Sequence, residues 1–404
     1  MSEVKENTRC LACGSEDINL ALDLGQQPLA NSYKNEIGSD QSYPLAVNVC
    51  NNCYHVQLTH TVSPEIIYKN YLYVAGTSNT LKVYSEWFAN FCKEYTNNTA
   101  NTVLDIGCND GTQLNYFKQI GLETYGIDPA ENIHATRNQD HTVICDFFGP
   151  GAIDALRQHS YDIISAQNVF AHNPDPLEFL QSCKDIMHND TLLFIQTSQA
   201  NMILNDEFDT IYHEHVNFFN ADSMRKCADR AGLNLIDVLK TPIHGTSYVF
   251  VLSKKQQRPF NVSNILTLEK QSGLYNANTY TNWEKTVRNN LNDLITVIND
   301  HREDYYVLAG YGAAAKGMTL LNATNIRLDF IVDDSALKQG KYTPGTNTPI
   351  VSIDKLNDYT DKDKILFVPL AWNFFTEIKS RIQNVRTNKN DKFVKYFPKV
   401  TVSQ

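Results

Sequence analysis

The chain has 404 residues, 42% hydrophobic and 20% charged, an ordinary globular composition long enough for two to three domains. A formal charge of -10 excludes general affinity for a phosphate backbone, which needs clustered Lys and Arg. No run approaches the ~20 apolar residues of a bilayer span, and the polar start MSEVKENTRC lacks the basic and apolar regions of a signal peptide, so a cytoplasmic location with no nucleic-acid or membrane partner is expected.

The first predicted element is a metal module. Nine cysteines are too few for a disulfide scaffold in a chain of this length, and in a reducing compartment grouped cysteines more often hold metal. Cys10-Leu-Ala-Cys13 and Cys50-Asn-Asn-Cys53 form two knuckles, separated by a loop containing Gly25, Pro28 and Pro44. Each knuckle turns two thiolates onto one ion, so the pair predicts a closed tetrahedral four-cysteine zinc site of the structural kind. Zinc would staple a segment of about 60 residues that otherwise buries too little core. The alternative, a pair of redox dithiols, lacks a surrounding βαβ pattern. His55 is close enough in sequence to substitute as a ligand, although a core or surface histidine is the plainer reading.

Next comes TVLDIGCNDGTQLNYF: a short apolar strand, a tight loop from Gly107 to Gly111, and an amphipathic helix start. ETYGIDPA reads as a second strand ending at Asp128, where a Rossmann-type fold places the carboxylate that grips ribose hydroxyls. VICDFF ends a third strand at Asp146, which would lie near adenine or merely cap a helix. YDIISAQNVFAH ends a fourth at Gln167 and Asn168. Strands alternating with helices predict an α/β, doubly wound parallel sheet with ligands at the strands' carboxyl ends. The loop chooses the ligand. Dinucleotide binders want GxGxxG, which brings a helix N-terminus to pyrophosphate. Here Asn109 stands midway between Gly107 and Gly111, and Asp105 precedes Gly107 by two residues. Acidic and amide groups suit a cationic ligand without phosphate, and S-adenosylmethionine is such a ligand. Asp105, Gly107, Asn109, Gly111, Asp128, Asp146 and Gln167 are the cofactor-binding candidates; the alternative is a doubly wound domain whose acids only cap strands and helices.

The segment TIYHEHVNFF follows the next strand, TLLFIQTS, and so enters near the carboxyl end of the sheet. Glu214 can hold an imidazole of His213 or His215 in one tautomer and raise its basicity, while the Tyr212 phenol can donate to developing negative charge. Such a set suits proton abstraction beside a carbonyl. A metal site is the rival, but His-Glu-His lacks the i, i+4 spacing of helical zinc ligands.

From about residue 256 a polar helical stretch leads to YYVLAGYGAAAKGMTLL, again strand, glycine turn, helix, and LDFIVDDS and ILFVPLAW supply further strands. A second Rossmann-like domain is predicted. Gly310 and Gly312 open its loop and Lys316 lies in the first turns of its helix, so a helix N-terminus plus one cation could seat a substrate's diphosphate. Asp333 and Asp334 would resemble a ribose site if this loop bound NAD, which is the case for a zinc-bearing NAD-binding oxidoreductase. The predicted division is a zinc-binding module at 1–65, a cofactor-binding domain at 66–255 and the second Rossmann-like domain at 256–404.

Taken together, Cys10, Cys13, Cys50 and Cys53, NYLYVAGTS at 70–78, VLDIGCNDG, NVFAHNPDP, TIYHEHVNFF, and GYGAAAKGMTLLN with VDDSALKQGKYTPGT resemble the zinc-containing sugar C-methyltransferases over nearly the whole chain and in order. The resemblance implies S-adenosylmethionine-dependent methylation at C3 of a nucleotide-linked 4-keto deoxysugar. It places the active site on Tyr73, His172, Tyr212, Glu214 and His215. Ser78 joins the cofactor-binding candidates, and Lys316 and Gly312 are the substrate-binding candidates. A C3 hydrogen beside a C4 ketone is acidic enough for a neutral base, which would be His215 oriented by Glu214. His172 and Tyr212 would donate to the enolate oxygen, Tyr73 would close the site, and the methyl group would face C3 at roughly 3 to 3.5 Å. The family often shows His-Gly-Gly-Ser-Leu-Arg where this chain has His244-Gly245-Thr246-Ser247-Tyr248-Val249. An O- or N-methyltransferase, or a binding protein without turnover, is the alternative; the sequence identifies neither nucleotide, sugar nor oligomeric state.

Overall fold

The computed structural model describes residues 3–68, 79–134, 140–197, 200–243, 246–256 and 260–404. It divides into two compact units, each drawn from three stretches of chain: Met1–Asn19, Asn48–Asn201 and Glu214–Asn276 in the first, and Leu20–Val47, Met202–His213 and Ala277–Gln404 in the second. Among the described residues no helix is long and apolar enough to cross a membrane.

The first unit is built on a seven-stranded sheet. Its strands are β1 (Thr102–Ile106), β2 (Glu123–Ile127), β3 (Thr142–Ile144), β4 (Ile163–Gln167), β5 (Leu192–Thr197), β6 (Asn234–Thr241) and β7 (Ser247–Ser253), in the spatial order β6-β7-β5-β4-β1-β2-β3. The pairs from β5 through β3 are parallel, and β7 inserts antiparallel to both β5 and β6. Helices cover both faces, which is why β4 and β5 are buried along nearly their whole length rather than alternating between buried and exposed. One face meets α1 (Asn79–Tyr95) and α2 (Thr112–Gln119) through Phe88, Cys92, Phe117 and Phe194. The other meets α3 (Pro176–Ile186) and α4 (Ala221–Ala231) through Phe179, Leu180, Met224 and Cys227.

The cysteine knuckles belong to this second layer: Cys10, Cys50 and Cys53 share its apolar cluster. Beside them, Val4–Glu6 pairs antiparallel with His60–Val62. The start of α4 is tied to the module directly. Asn220 and Ser223 form a reciprocal capping box, and the remaining Asn220 amide hydrogens are donated to the carbonyls of Cys53 and Tyr54, at 2.9 and 2.8 Å.

The second unit carries a six-stranded sheet, β8 (Val307–Tyr311), β9 (Phe330–Val332), β10 (Ile350–Val351), β11 (Ile365–Pro369), β12 (Lys392–Lys395) and β13 (Thr401–Ser403), ordered β10-β9-β8-β11-β12-β13. All pairs are parallel except β12 with β13. Its long helix α5 (Ala277–Glu303) buries Tyr280, Trp283, Val287, Leu294 and Ile298, an apolar stripe at the 3- and 4-residue spacing of one helix face. The shorter helix α6 (Ala315–Thr324) follows the glycine loop. The stretch 202–213 is held within this unit by buried and half-buried side chains. Trp283 Nε1 donates to the Glu207 carbonyl (3.0 Å), Thr319 Oγ1 to the Ile211 carbonyl (2.9 Å), and Trp372 Nε1 to Asp209 Oδ2 (2.7 Å).

Candidate active site and metal centre

The four predicted cysteines converge. Their Sγ atoms all lie within 4.8 Å of one another, with Cys10 to Cys53 and Cys13 to Cys50 each at 3.6 Å. A tetrahedron with Zn–S of about 2.3 Å has edges of roughly 3.8 Å, so the set is close to the arrangement that a zinc ion requires. Backbone N–H groups of Cys13 and Asn52 point at Cys10 Sγ and Cys50 Sγ, both at 3.4 Å, the outer support that thiolate ligands need. His55 is a core residue and no ligand. Its Nε2 is 3.0 Å from Asn217 Oδ1, its ring lies 4.5 Å from that of Phe219, and burial pushes its pKa down to about 4.

A cavity of about 250 Å³ opens at the carboxyl ends of β1, β2 and β4. Its floor depends on Gly107, whose φ of +70° lies in the left-handed region and whose added Cβ would stand 2.2 Å from Val169 Cγ2. Asn109 lies beside it in the wall, and its N–H donates to Asp128 Oδ2 at 2.8 Å, while the Ala130 N–H donates to Oδ1 at 2.9 Å. Together these two bonds fix the orientation of the carboxylate. Asp105 accepts from Ser165 Oγ at 2.6 Å. Gln167 donates to Gln113 Oε1 (3.0 Å), and Gln113 in turn to the Ser85 carbonyl (3.1 Å); Gln113, unremarked in the sequence, lines the cavity with them. Gly111 caps α2 at a φ of +83°. Phe147 and Phe148 form wall where Asp146 was expected; the Asp146 carboxylate is exposed and accepts the Phe147 N–H at 2.7 Å. The described lining holds two buried aspartates and no Lys or Arg, a donor set that fits the sulfonium, amino and ribose groups of S-adenosylmethionine better than a dinucleotide's phosphates. Ser78 and Tyr73 lie outside the described residues.

His172 lines the same cavity, carried by a single turn, Phe170–His172, directly after β4. Tyr68 stacks on its ring at 5.8 Å with an interplanar angle of 5°, and the His215 ring stands 5.1 Å away. Desolvation drives the His172 pKa down to about 4, so its imidazole is neutral and carries one N–H and one free lone pair. Glu214 is buried, and its carbonyl accepts the Tyr68 hydroxyl at 3.2 Å. The structure thus gathers His172, His215 and Tyr68. The last was not singled out in the sequence, where it is one of three tyrosines in EIIYKNYLYV. Tyr212 and His213 belong to the second unit. There the His213 ring packs edge-on to Tyr43, with centroids 5.9 Å apart, and burial lowers its pKa to about 4. Among the described residues the four cysteines form the only metal-holding group, and the His-Glu-His run forms none.

In the second unit, Gly312 opens the loop before α6 at a φ of +85°. The Asp333 oxygens accept N–H bonds from Ala313 and Ser335, at 2.7 and 2.8 Å, and Asp334 pairs with Arg381 and the Tyr311 hydroxyl. Lys316 sits in the first turn of α6 with its Nζ 5.4 Å from the Trp372 ring centroid, and its charge offsets part of the burial that raises the Glu207 carboxyl. Lys338 donates to the Ala313 carbonyl at 2.6 Å.

Three family models cover the chain in succession: a zinc binding domain at residues 10–68, a methyltransferase domain at 79–238 and a C-methyltransferase C-terminal domain at 242–398. The chain belongs to the zinc-binding, S-adenosylmethionine-dependent C-methyltransferases. This C-methyltransferase is 29% identical over 394 residues to C-methyltransferase NovU of Streptomyces niveus, an alignment spanning 93% of the present chain and 92% of that one. It is also 36% identical over 107 residues to the ubiquinone biosynthesis O-methyltransferase of Glaesserella parasuis, covering 24% of this chain and 44% of that enzyme. An S-adenosylmethionine-dependent methyltransferase from Clostridium acetobutylicum, solved by crystallography, superimposes with a TM-score of 0.34 and 10% identity over 43% of this chain and 91% of its own. Zinc and S-adenosylmethionine are therefore the cofactors of the enzyme.

Proposed function

We propose that this C-methyltransferase methylates C3 of a nucleotide-linked 4-keto deoxysugar through an enolate, working in the cytoplasm with the division 1–65, 66–255 and 256–404 as its functional segments. The observation that carries the reading is the pair of imidazoles in the first unit: His172, held neutral in the cavity wall, and His215, 5.1 Å from it. Similarity to NovU supports carbon as the methyl acceptor. Two imidazoles with distinct roles suit a carbon acid, since one must take a proton while the other gives a hydrogen bond to the oxygen where charge grows.

In this mechanism His215 removes the C3 proton and the C3–H electrons move into the ring as an enolate. Glu214, buried in the adjacent position, orients the base. The His172 N–H donates to the C4 oxygen, with the Tyr212 hydroxyl as a second donor and Tyr73 closing the site. The cofactor, when bound by Asp105, Gly107, Asn109, Gly111, Asp128, Gln167 and Ser78, supplies an electrophilic methyl whose sulfonium leaves as a neutral thioether. Asp146 is assigned to the adenine end. The resulting C3–CH3 bond restores the ketone as the enolate electrons leave oxygen. Lys316 and the Gly312 loop take the diphosphate, a role that the loop's helix N-terminus supports.

Mass spectrometry in deuterated water with TDP-, GDP- and CDP-linked 4-keto-6-deoxysugars tests this. The expected result is one methyl gained on carbon and, with S-adenosylmethionine withheld, one deuterium gained at C3. Methyl gain on oxygen or nitrogen without exchange would instead identify an O- or N-methyltransferase. In the same assay His215→Ala and Glu214→Ala should keep S-adenosylmethionine binding and lose turnover by about 10²-fold or more; unchanged turnover in both would remove the roles given to them.

A further inference from the structure

Tyr68 closes the short helix Pro64–Tyr68 of the first unit and lines the cavity together with His172. It is attached at two points. Its ring lies parallel to the His172 imidazole, with 5° between the planes and 5.8 Å between centroids. Its hydroxyl, at the far end of the phenol, donates to the Glu214 carbonyl at 3.2 Å, on the main chain one residue before His215. One side chain therefore touches both of the segments that carry the paired imidazoles.

Those segments come from different parts of the chain. His172 rides on the single turn after β4, whereas His215 follows β5, and their rings meet 5.1 Å apart at an angle of 30°. Two further ties join the segments. Asn217 Nδ2 donates to the Asn173 carbonyl at 2.7 Å, and the Phe170 and Phe219 rings stack at 4.8 Å. Both ties act beside the histidines and set how closely the two segments approach. Neither acts on the turning of an imidazole about its own bonds, and the outer torsion of a histidine is broad and soft. A flat ring laid parallel against the imidazole opposes that turning. A ring that could itself swing would oppose it poorly, and the hydroxyl bond to the Glu214 carbonyl removes that freedom from Tyr68.

The chemistry makes orientation costly to lose. A general base and a hydrogen-bond donor serve one acceptor only when both nitrogens point at it, and a misplacement of about 1 Å can cost on the order of 10²-fold in rate.

We propose that Tyr68 is a positioning residue for methyl transfer: its ring fixes the rotation of the His172 imidazole, and its hydroxyl pins that ring to the main chain that carries His215. This rests on the enolate reading given above. Tyr68→Phe and Tyr68→Leu test it on whichever TDP-, GDP- or CDP-linked 4-keto-6-deoxysugar the wild type methylates. The readouts are kcat, both KM values, and the rate of C3 deuterium uptake with S-adenosylmethionine withheld. Tyr68→Leu, which removes ring and hydroxyl, should lower kcat and C3 exchange together by about 10²-fold. Tyr68→Phe, which restores the ring without its hydrogen bond, should recover most of that and fall only roughly two- to tenfold below wild type. Both KM values should stay within about twofold, because the loss lies in the transition state.

Wild-type kcat in Tyr68→Leu overturns the proposal. So does a raised acceptor KM with kcat and exchange intact, which would make Tyr68 a substrate contact. A Phe variant as impaired as the Leu variant overturns it too, because the ring would then fix nothing. If the melting curve shows that Tyr68→Leu does not fold, Tyr68→Phe decides: kcat and exchange lowered together at unchanged KM support the proposal, and wild-type rates overturn it. Wild-type exchange at C3 with indifferent variants removes this proposal alone, whereas a wild type inactive on the whole panel removes the enolate reading and this proposal with it.

Discussion

Burial pushes His55, His172 and His213 each down to about 4, and His172 lines the cavity described above. His55 and His213 are 0% and 1% exposed and serve as neutral packing groups. Their lowered folded-state pKa has a definite sign. In the unfolded chain an imidazole takes a proton near 6.5, and in the fold it resists until about 4. Their contribution is therefore complete above about pH 6.5 and is lost as pH falls toward 4. His213→Phe should flatten the fall of melting temperature between those two values relative to wild type, and parallel curves would show that His213 does not titrate on unfolding. At this scale the sequence is legible where polar groups interrupt an apolar run: Glu214 and His215 stand out in TIYHEHVNFF for that reason. Tyr68 does not, because nothing local distinguishes it from Tyr71 and Tyr73. Gln196 hides inside a buried strand, and whether its amide finds a partner, as it does not among the described residues, depends on contacts far away in the chain. Asp146 is the reverse case. A strand-end aspartate signals a ligand or a local turn equally well, and here it accepts from its own neighbour's N–H.

Among the elements, the β1–loop–α2 unit carries the sharpest constraint. Gly107 needs the left-handed conformation and also space, since a Cβ would stand 2.2 Å from Val169. Gly107→Ala should weaken S-adenosylmethionine binding by about tenfold or more by calorimetry, with zinc content unchanged, because the knuckles lie on other elements. Binding at wild-type strength would mean that the loop shifts without disturbing Asp128. This element was readable because strand, glycine turn and helix follow one another locally. The antiparallel insertion of β7 was not. Its run SYVFVLS is buried throughout, and a strand buried on both faces carries no mark of its direction. The same holds for the pairing of Val4–Glu6 with His60–Val62, whose partners are more than 50 residues apart.

For the whole molecule, zinc should act well beyond its knuckles. Cys10, Cys50 and Cys53 lie in the apolar cluster that contains Phe219, Met224 and Leu252, so the ion braces one layer of the methyltransferase sheet. Native mass spectrometry should find about one zinc per chain, and chelation should lower the melting temperature and reduce S-adenosylmethionine affinity together. Loss of zinc with an unaltered melting curve would confine its effect to the knuckles. The four-cysteine spacing announced the metal plainly. The assembly of the second unit from three separate stretches was invisible in the sequence, because it is decided by buried partners such as Trp283 with Glu207 and Thr319 with Ile211 rather than by any local pattern.

That assembly limits how such a gene can be shuffled. A single crossover near residue 277 would exchange the last 128 residues between relatives while leaving Glu207, Asp209 and Ile211 with the original parent. The incoming Trp283, Trp372 and Thr319 would then have to find the main-chain carbonyls at 207 and 211 and the Asp209 carboxylate on a foreign stretch of chain, packed in the same place. Chimeras should tolerate the exchange only when the stretches 20–47 and 202–213 travel with the tail, so what recombines as one piece of structure is written in three pieces of DNA.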